Sequence, residues 1–392
     1  METGINKRKT EHIRLCLTDA VEGVEKSTGL EGISFIHNAL PEIDFRDIDM
    51  QTSFLNKLLK APFLVSSMTG GSELAVQINQ NLAKAAEEKG WVIALGSTRA
   101  LLESTAHQDS FLIRKYAPSV PLIANLGAVQ LNYGYGAEEA QRIVDMTEAD
   151  SLVLHLNSLQ EVIQDEGDVN FDNLLPKIEK VCKTLNVPVG AKEVGFGIDG
   201  ETARKLYDAG ISFIDVAGAG GTSWSQVEKL RSQNQLHKAA AEAFNNWGNP
   251  TKDCIVSVKS KVTGVPVVAS GGMKTGLDAA KAITIGADVI GFARKLLEAA
   301  TTSTEAVIKT MDQIELELKI TMFGIGAKNL HDLKKYEACV HHGQIIIGRS
   351  INKSRSVYRC RLLFMKNKRW VMISNRISSR QLFLCWKGKS SV

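Results

Sequence analysis

The sequence predicts an α/β protein, a (β/α)8 TIM barrel, on three observations. Eight short apolar runs recur along the middle of the chain, helix-patterned segments separate them, and the runs end in small or polar residues suited to holding a ligand. The 392 residues leave room for one barrel of roughly 250 residues with extensions at both ends. A doubly wound open sheet is the alternative, disfavoured because no GxGxxG follows the first run.

Residues 1–60 lack the barrel's rhythm and carry a basic cluster, Lys7, Arg8 and Lys9, beside Glu11 and His12. The runs then fall at 63–67, 91–96, 121–126, 151–157, 188–193, 213–217, 266–271 and 289–293. Each is short and almost continuously apolar, as a strand covered on both faces must be. Over 72–89 the spacing of Leu74, Ile78, Leu82, Ala85 and Ala86 predicts a helix with one apolar face, and 137–147, 171–185, 277–285 and 303–321 read the same way. The longest gap follows the sixth run, where 223–251 forms a polar, helix-rich insertion ending in WGNPT. The expected division is an N-terminal extension (1–60), a barrel (61–337) and a basic tail of doubtful structure (338–392).

Composition points to a globular enzyme, with 44% hydrophobic and 23% charged residues and no run near the roughly 18 apolar residues of a membrane helix. No apolar segment stands behind the basic start, so no secretory signal is read and a cytoplasmic location is expected. The six cysteines lie far apart without a C-x-x-C pair, which argues against a zinc site and a disulfide framework. The net charge of +4 hides an asymmetry, because 338–392 hold twelve Lys and Arg and no Asp or Glu, leaving 35 basic against 43 acidic residues before them. Neither nucleic acid nor a membrane is expected as a partner of the mildly acidic body.

The ends of the runs carry the chemistry. In 151–161, SLVLHLNSLQE, His155 and Asn157 point to one side of a strand and Gln160 and Glu161 follow in the loop. The other ends offer Ser66 to Gly71 (SSMTGG), Ser97 and Arg99, Asn125, Lys192 with Glu193, and the glycines of AGAGGTSW. After the last two runs, Gly271 and Gly272 precede one helix and Ala293 and Arg294 open another. This is the phosphate cradle of a barrel, in which unpaired N–H groups and the positive helix ends face the anion. A lysine across the mouth, Lys192, suits the N1 and C2 carbonyl edge of a flavin, so FMN fits the layout. Pyridoxal phosphate is the alternative, for which no partner of the pyridine nitrogen is seen.

Eight stretches in order carry a resemblance: RKTEH (8–12), SSMTGG (66–71), GSTRALLE (96–103), HLNSLQE (155–161), AKEVGFGI (191–198), AGAGGTSW (217–224), WGNPT (247–251) and SGGMKTGLDAAKAITIGAD (270–288). Together they resemble type 2 isopentenyl-diphosphate isomerase, the FMN-dependent class. The resemblance implies conversion of isopentenyl to dimethylallyl diphosphate, with NADPH reducing FMN and the reduced ring acting through N5 as an acid–base group. It implies FMN contacts from Ser67, Met68, Thr69, Ser97, Asn125, Lys192, Thr222, Gly271, Gly272, Ala293 and Arg294. Diphosphate contacts would come from Arg8, Lys9, Arg99, His155, Asn157 and Gln160, Mg²⁺ from Glu161, and the catalytic residues would be Lys192, His155 and Gln160. Arg8 and Lys9 reach the barrel only if the N-terminal segment folds over its mouth. The family also implies a homo-oligomer, a tetramer or octamer.

Two related barrels give rival readings. A 2-hydroxy-acid oxidase needs a His base and an Arg after the sixth strand, where this chain has AGAGGTSW, and an inosine-monophosphate-dehydrogenase-like barrel needs a loop cysteine. Beyond 337 the resemblance ends, and the mixture of apolar and basic residues without period reads as a native end replaced, for example by a shift of reading frame, the alternative being a genuine basic extension that engages nucleic acid or an anionic membrane.

Overall fold

The structure is a computed structural model and describes residues 4–22, 26–104, 108–341, 344–349, 363–366 and 369–372. Eight parallel strands close into a barrel: β1 Phe63–Val65, β2 Val92–Ala94, β3 Leu122–Gly127, β4 Ser151–Leu156, β5 Val189–Glu193, β6 Phe213–Asp215, β7 Val267–Ala269 and β8 Val289–Phe292. Closure comes from β8 on β1, with Ile290 opposite Phe63 and Phe292 opposite Val65. All eight predicted runs are these strands.

Side chains fill the barrel rather than leaving a pore. Leu64, Val92, Ile123, Val153, Phe213, Val268 and Val289 form an inner layer near the N-terminal strand ends, completed by Phe54 and Leu59. These last two come from a hairpin, Thr52–Phe54 with Lys57–Leu59, that plugs the barrel. Phe54 meets Phe213 edge to face at 5.3 Å. The opposite, C-terminal end stays open for a ligand.

The outer helices follow from their caps and apolar faces. Ser72 accepts from the Ala75 amide to start Glu73–Lys89, Gly90 stops it at φ +68°, and the face bearing Ala75, Ile78, Leu82, Ala85 and Ala86 is buried. The helix expected from 171 begins only at Leu174, because Asn173 takes a left-handed conformation at φ 52°. The insertion forms two helices, Trp224–Arg231 and Gln235–Glu242.

The extensions contain more structure than their patterns suggest. Gly4–Cys16 is a helix, designated α1, that packs against Trp224–Arg231, designated α2, at the barrel mouth. Past the barrel, Tyr336–His341 and Gln344–Arg349 pair as antiparallel strands, and the second runs parallel to Ile33–Phe35, with Ile33 opposite Ile345. The boundary expected at 337 thus lies within a strand. Leu363–Lys366 and Arg369–Met372 make a hairpin, while the rest of the basic tail lies outside the described residues. Among the described residues no helix is long and apolar enough to cross a membrane.

Candidate active site

At the C-terminal strand ends lies a cavity of about 690 Å³, and all eighteen residues nominated from the sequence line it. Every strand contributes through the loop that follows it, as position in a barrel dictates. The cavity has two chemically distinct halves.

One half is suited to FMN. Ser67 Oγ and Thr69 Oγ1, at the end of β1, are buried without a hydrogen-bond partner, an arrangement that awaits a polar ligand. Gly271 and Gly272 hold φ +95° and +72°, and a Cβ on either would stand 2.0 Å from Gly218 O or 2.3 Å from Gly220 O. The β6 and β7 loops therefore meet backbone to backbone, which only glycine permits. Of the two helix ends expected to complete the cradle, the one after β7 is closed. Gly276 N donates to Glu317 Oε2 (2.7 Å), Thr275 N to Asp278 Oδ2 (3.1 Å) and Asp278 N to Thr275 Oγ1 (3.0 Å). The end after β8 carries no side-chain cap at Ala293. The Arg294 guanidinium turns instead to the N-terminal segment, donating to Cys16 O (2.9 Å) and Thr18 O (3.0 Å) and pairing with Glu22.

Lys192 stands across the mouth on β5, 7% exposed, and its Nζ donates to Glu193 O at 2.6 Å. Burial lowers its pKa, while Asp215, its register partner on β6, and Glu193 oppose the shift. Asp215 in turn accepts from Ser270 Oγ at 2.6 Å. Glu193 accepts from the amides of Val194, Gly195, Phe196 and Gly197, locking the loop beside Lys192. Met68, Ser97 and Thr222 complete this half.

The other half is cationic. Arg8 and Lys9 enter it from α1 and Arg99 from the start of the helix Arg99–Glu103 that follows β2. Burial first, then Arg8 and Arg99, pushes the Lys9 ammonium down to about 8. Lys9 is partly exposed as a residue and lines the cavity. Among the described residues no carboxylate forms an ion pair with Arg8 or Lys9, as befits a site for an external anion. His155 Nδ1 lies 2.8 Å from Asn125 Oδ1, and Asn125 Nδ2 donates to Leu95 O at 3.1 Å. That chain puts the imidazole proton on Nδ1 and leaves Nε2 as an acceptor. Burial, then Lys192, Lys9 and Arg99, lowers His155 to about 3, so the ring is neutral.

Glu161 lies at this end with its carboxyl pushed up, chiefly by burial. Its Oε1 accepts from Asn157 Nδ2 (2.7 Å) and its Oε2 from the Asp168 amide (2.8 Å). Asn157 Oδ1 is buried and unpartnered beside it, so a carboxylate and a carboxamide oxygen stand together in a donor set of the kind that fits Mg²⁺ shared with a ligand's phosphate oxygens. Three or more His, Cys, Asp or Glu side chains do not converge anywhere among the described residues, so the protein alone would not enclose an ion.

Several residues that complete the site were not foreseen. His12 Nε2 reaches Glu228 Oε1 at 3.0 Å and its ring meets Trp224 edge to face at 5.1 Å, while Glu11 pairs with Arg231 at 3.3 Å. These contacts dock α1 on α2 and so deliver Arg8 and Lys9. Burial raises Glu228, but His12, Gln160 and Arg231 outweigh it and hold the carboxyl at about 2. Gln160 Nε2 donates to Glu228 Oε1 at 2.9 Å. Gln130 and Asp168 both bind Arg99 Nη1 at 2.9 Å. His12 sits inside the RKTEH stretch, where a signal existed; Glu228, Gln130 and Asp168 occupy ordinary helix and loop positions and had none.

The family described as FMN-dependent dehydrogenase matches residues 136–340. An isopentenyl-diphosphate delta-isomerase of Oceanobacillus iheyensis is 74% identical over 347 residues, 88% of this chain and 99% of the relative. Enzymes of the same name from Rickettsia bellii and Nostoc sp. are 49% and 50% identical, over 86% and 83% of this chain and 98% and 93% of their own. Among solved structures, mandelate oxidase with (S)-2-phenylpropionate superposes at a TM-score of 0.59 with 17% identity, covering 88% of this chain and 98% of that one. An (S)-mandelate dehydrogenase mutant reaches 0.60 with 16% identity over 84% and 96%. The structural likenesses speak for the barrel fold. Sequence identity over nearly the whole of these relatives speaks for the family, and the chain belongs to the FMN-dependent, type 2 isopentenyl-diphosphate delta-isomerases.

Proposed function

We propose that this cavity converts isopentenyl diphosphate to dimethylallyl diphosphate, with FMN in the glycine-lined half, the diphosphate in the cationic half, Mg²⁺ between Glu161 and the diphosphate, and NADPH as the reductant. The observation that carries the reading is a single cavity that joins the glycine-lined end at Gly271 and Gly272 to a cationic end at Arg8, Lys9 and Arg99. Bound and reduced, FMN would supply the acid–base group that moves a proton on and off the alkene.

The chain's own residues do the positioning. Arg8, Lys9 and Arg99 hold the diphosphate, and a hard cation on Glu161 and Asn157 Oδ1 offsets the charge that remains. His155 is neutral and offers Nε2 to a protonated diphosphate oxygen or a bridging water. Gln160, steered by Glu228, borders the same space. Lys192 places positive charge beside the flavin edge, favouring an anionic reduced ring. With α1 docked on α2, Ile13 and Trp224 help cover the mouth and keep water from a transition state of carbocation character.

The rival is 2-hydroxy-acid oxidation, since the superposed structures are named for mandelate chemistry. The loop after β6 supplies neither a His nor an Arg, which favours the isomerase. A cytoplasmic setting, where NADPH is supplied, and a homo-oligomeric assembly belong to the same reading.

The deciding experiment takes the purified protein without air, follows its visible spectrum as NADPH is added, and then supplies isopentenyl diphosphate and Mg²⁺ while proton NMR monitors the alkene. Bleaching of a flavin band followed by appearance of the dimethylallyl methyl signals is expected. A colourless protein, or a bleached one that leaves the alkene untouched or oxidises mandelate, would overturn the reading.

A further inference from the structure

Asp168 stands in the cationic half without a role assigned by the sequence. It lies in the loop after the helix Ser158–Ile163 and lines the cavity. Its carboxylate accepts from Arg99 Nη1 at 2.9 Å and from Gln130 Nε2 at 2.8 Å, and Arg99 Nη1 also donates to Gln130 Oε1 at 2.9 Å. The three side chains therefore form a closed triangle, with Gln130 buried at its base. The backbone of the same residue makes a separate contact, in which Asp168 N donates to Glu161 Oε2 at 2.8 Å. One residue thus joins the arginine aimed at the diphosphate to the carboxylate aimed at the metal.

A second carboxylate in a site for a polyanion needs a physical reason. Near a bare diphosphate it repels the ligand and competes with it for Arg99. Near a diphosphate that carries a divalent cation the sign reverses, because Asp168, whose amide holds Glu161, adds negative charge beside the proposed metal position and attracts the cation through space. Glu103 is the natural comparison. It too pairs with Arg99, at 3.3 Å from Nε, but among the described residues no hydrogen bond or ion pair ties it to Glu161.

We propose that Asp168 is a specificity-determining residue that makes this site select the magnesium complex of the diphosphate over the free diphosphate. The proposal rests on the isomerase reading above and goes beyond it by assigning the choice of ionic form to a residue outside the proposed ligand set. The role is one of positioning and charge, exerted through Arg99 and Glu161.

The test uses the FMN-loaded full chain and inorganic pyrophosphate as the probe, with affinity measured by calorimetry in excess Mg²⁺ and again in EDTA. Removing one charge from a partly wet site changes a neighbouring ion's binding by a factor of roughly three to ten. Asp168→Asn is therefore expected to weaken pyrophosphate by about that factor with Mg²⁺ and to tighten it by about the same factor in EDTA, with the flavin spectrum unchanged. Asp168→Glu should restore the wild-type order, and Glu103→Gln should shift both affinities in the same direction. A merely structural role would weaken both conditions alike and would overturn the proposal, as would a sign reversal in Glu103→Gln equal to that in Asp168→Asn. If the wild-type protein binds pyrophosphate in neither condition, the diphosphate reading falls and this inference with it. If wild type binds and Asp168→Asn is indistinguishable from it, the inference alone fails.

Discussion

His12 Nε2 lies 3.0 Å from Glu228 Oε1, a contact between residues 216 positions apart that holds the N-terminal helix across the barrel mouth. The same carboxylate takes Gln160 and Arg231, so the lid and the short helix Ser158–Ile163 after β4, where the sequence predicts a loop for Gln160 and Glu161, share one anchor. Removing the imidazole should loosen α1 without touching the flavin cradle. For His12→Ala we expect KM for isopentenyl diphosphate to rise about tenfold, as Arg8 and Lys9 lose their placement, with FMN content unchanged. Loss of flavin in proportion to activity would show that α1 holds the fold rather than the substrate.

Lys192 is predicted to act on the reduced cofactor. Lys192→Ala should lower the midpoint potential of the bound flavin and slow isomerisation even when excess FMN restores full occupancy, because the anionic reduced ring loses its nearest cation. Lys192→Arg should recover part of the potential. An unchanged potential in the FMN-saturated Ala variant would remove Lys192 from this role.

Lys9 sets a pH dependence whose sign follows from its surroundings. Its ammonium is lowered from 10.5 to about 8 by burial, then by Arg8 and Arg99, and the diphosphate needs it charged. Above pH 8 the free enzyme loses the proton, so kcat/KM should fall there and Lys9→Met should lack that inflection. Stability runs the other way. A lysine whose folded pKa is depressed disfavours the folded state most below pH 8, and the cost fades as pH rises toward 10.5. Lys9→Met should therefore raise Tm at pH 7 and lose that advantage near pH 10.5; equal Tm values at pH 7 would contradict the burial assigned to the ammonium.

The tail divides at a point the composition alone does not mark. Ending the chain after Ala338 removes Gln344–Arg349, the strand paired with Ile33–Phe35, and should lower Tm by about 5 °C. Ending it after Arg349 keeps that sheet and should preserve both flavin binding and rate. Thermal melts of the two shortened chains that coincide would mean the pairing contributes nothing.

Much of this protein was legible in its residues. Strands buried on both faces must be short and apolar, and helices against a barrel must carry one apolar face, so 63–67 through 289–293 and 72–89 announced the barrel through local pattern. The glycines at 271 and 272 and the polar residues at the strand ends likewise located the mouth, because topology in this fold sends every strand end to one side. Partner choice was not legible. Whether the helix after β7 offers its amides to a ligand depended on Glu317 arriving from another helix to take Gly276 N, and whether Arg294 faces a phosphate depended on Cys16 O and Glu22 reaching it first. Periodicity records how deeply a residue is buried. It does not record which of several donors and acceptors, far apart in the chain, the closed barrel will bring within 3 Å, and that geometry alone decided the anchor at Glu228 and the triangle of Arg99, Gln130 and Asp168.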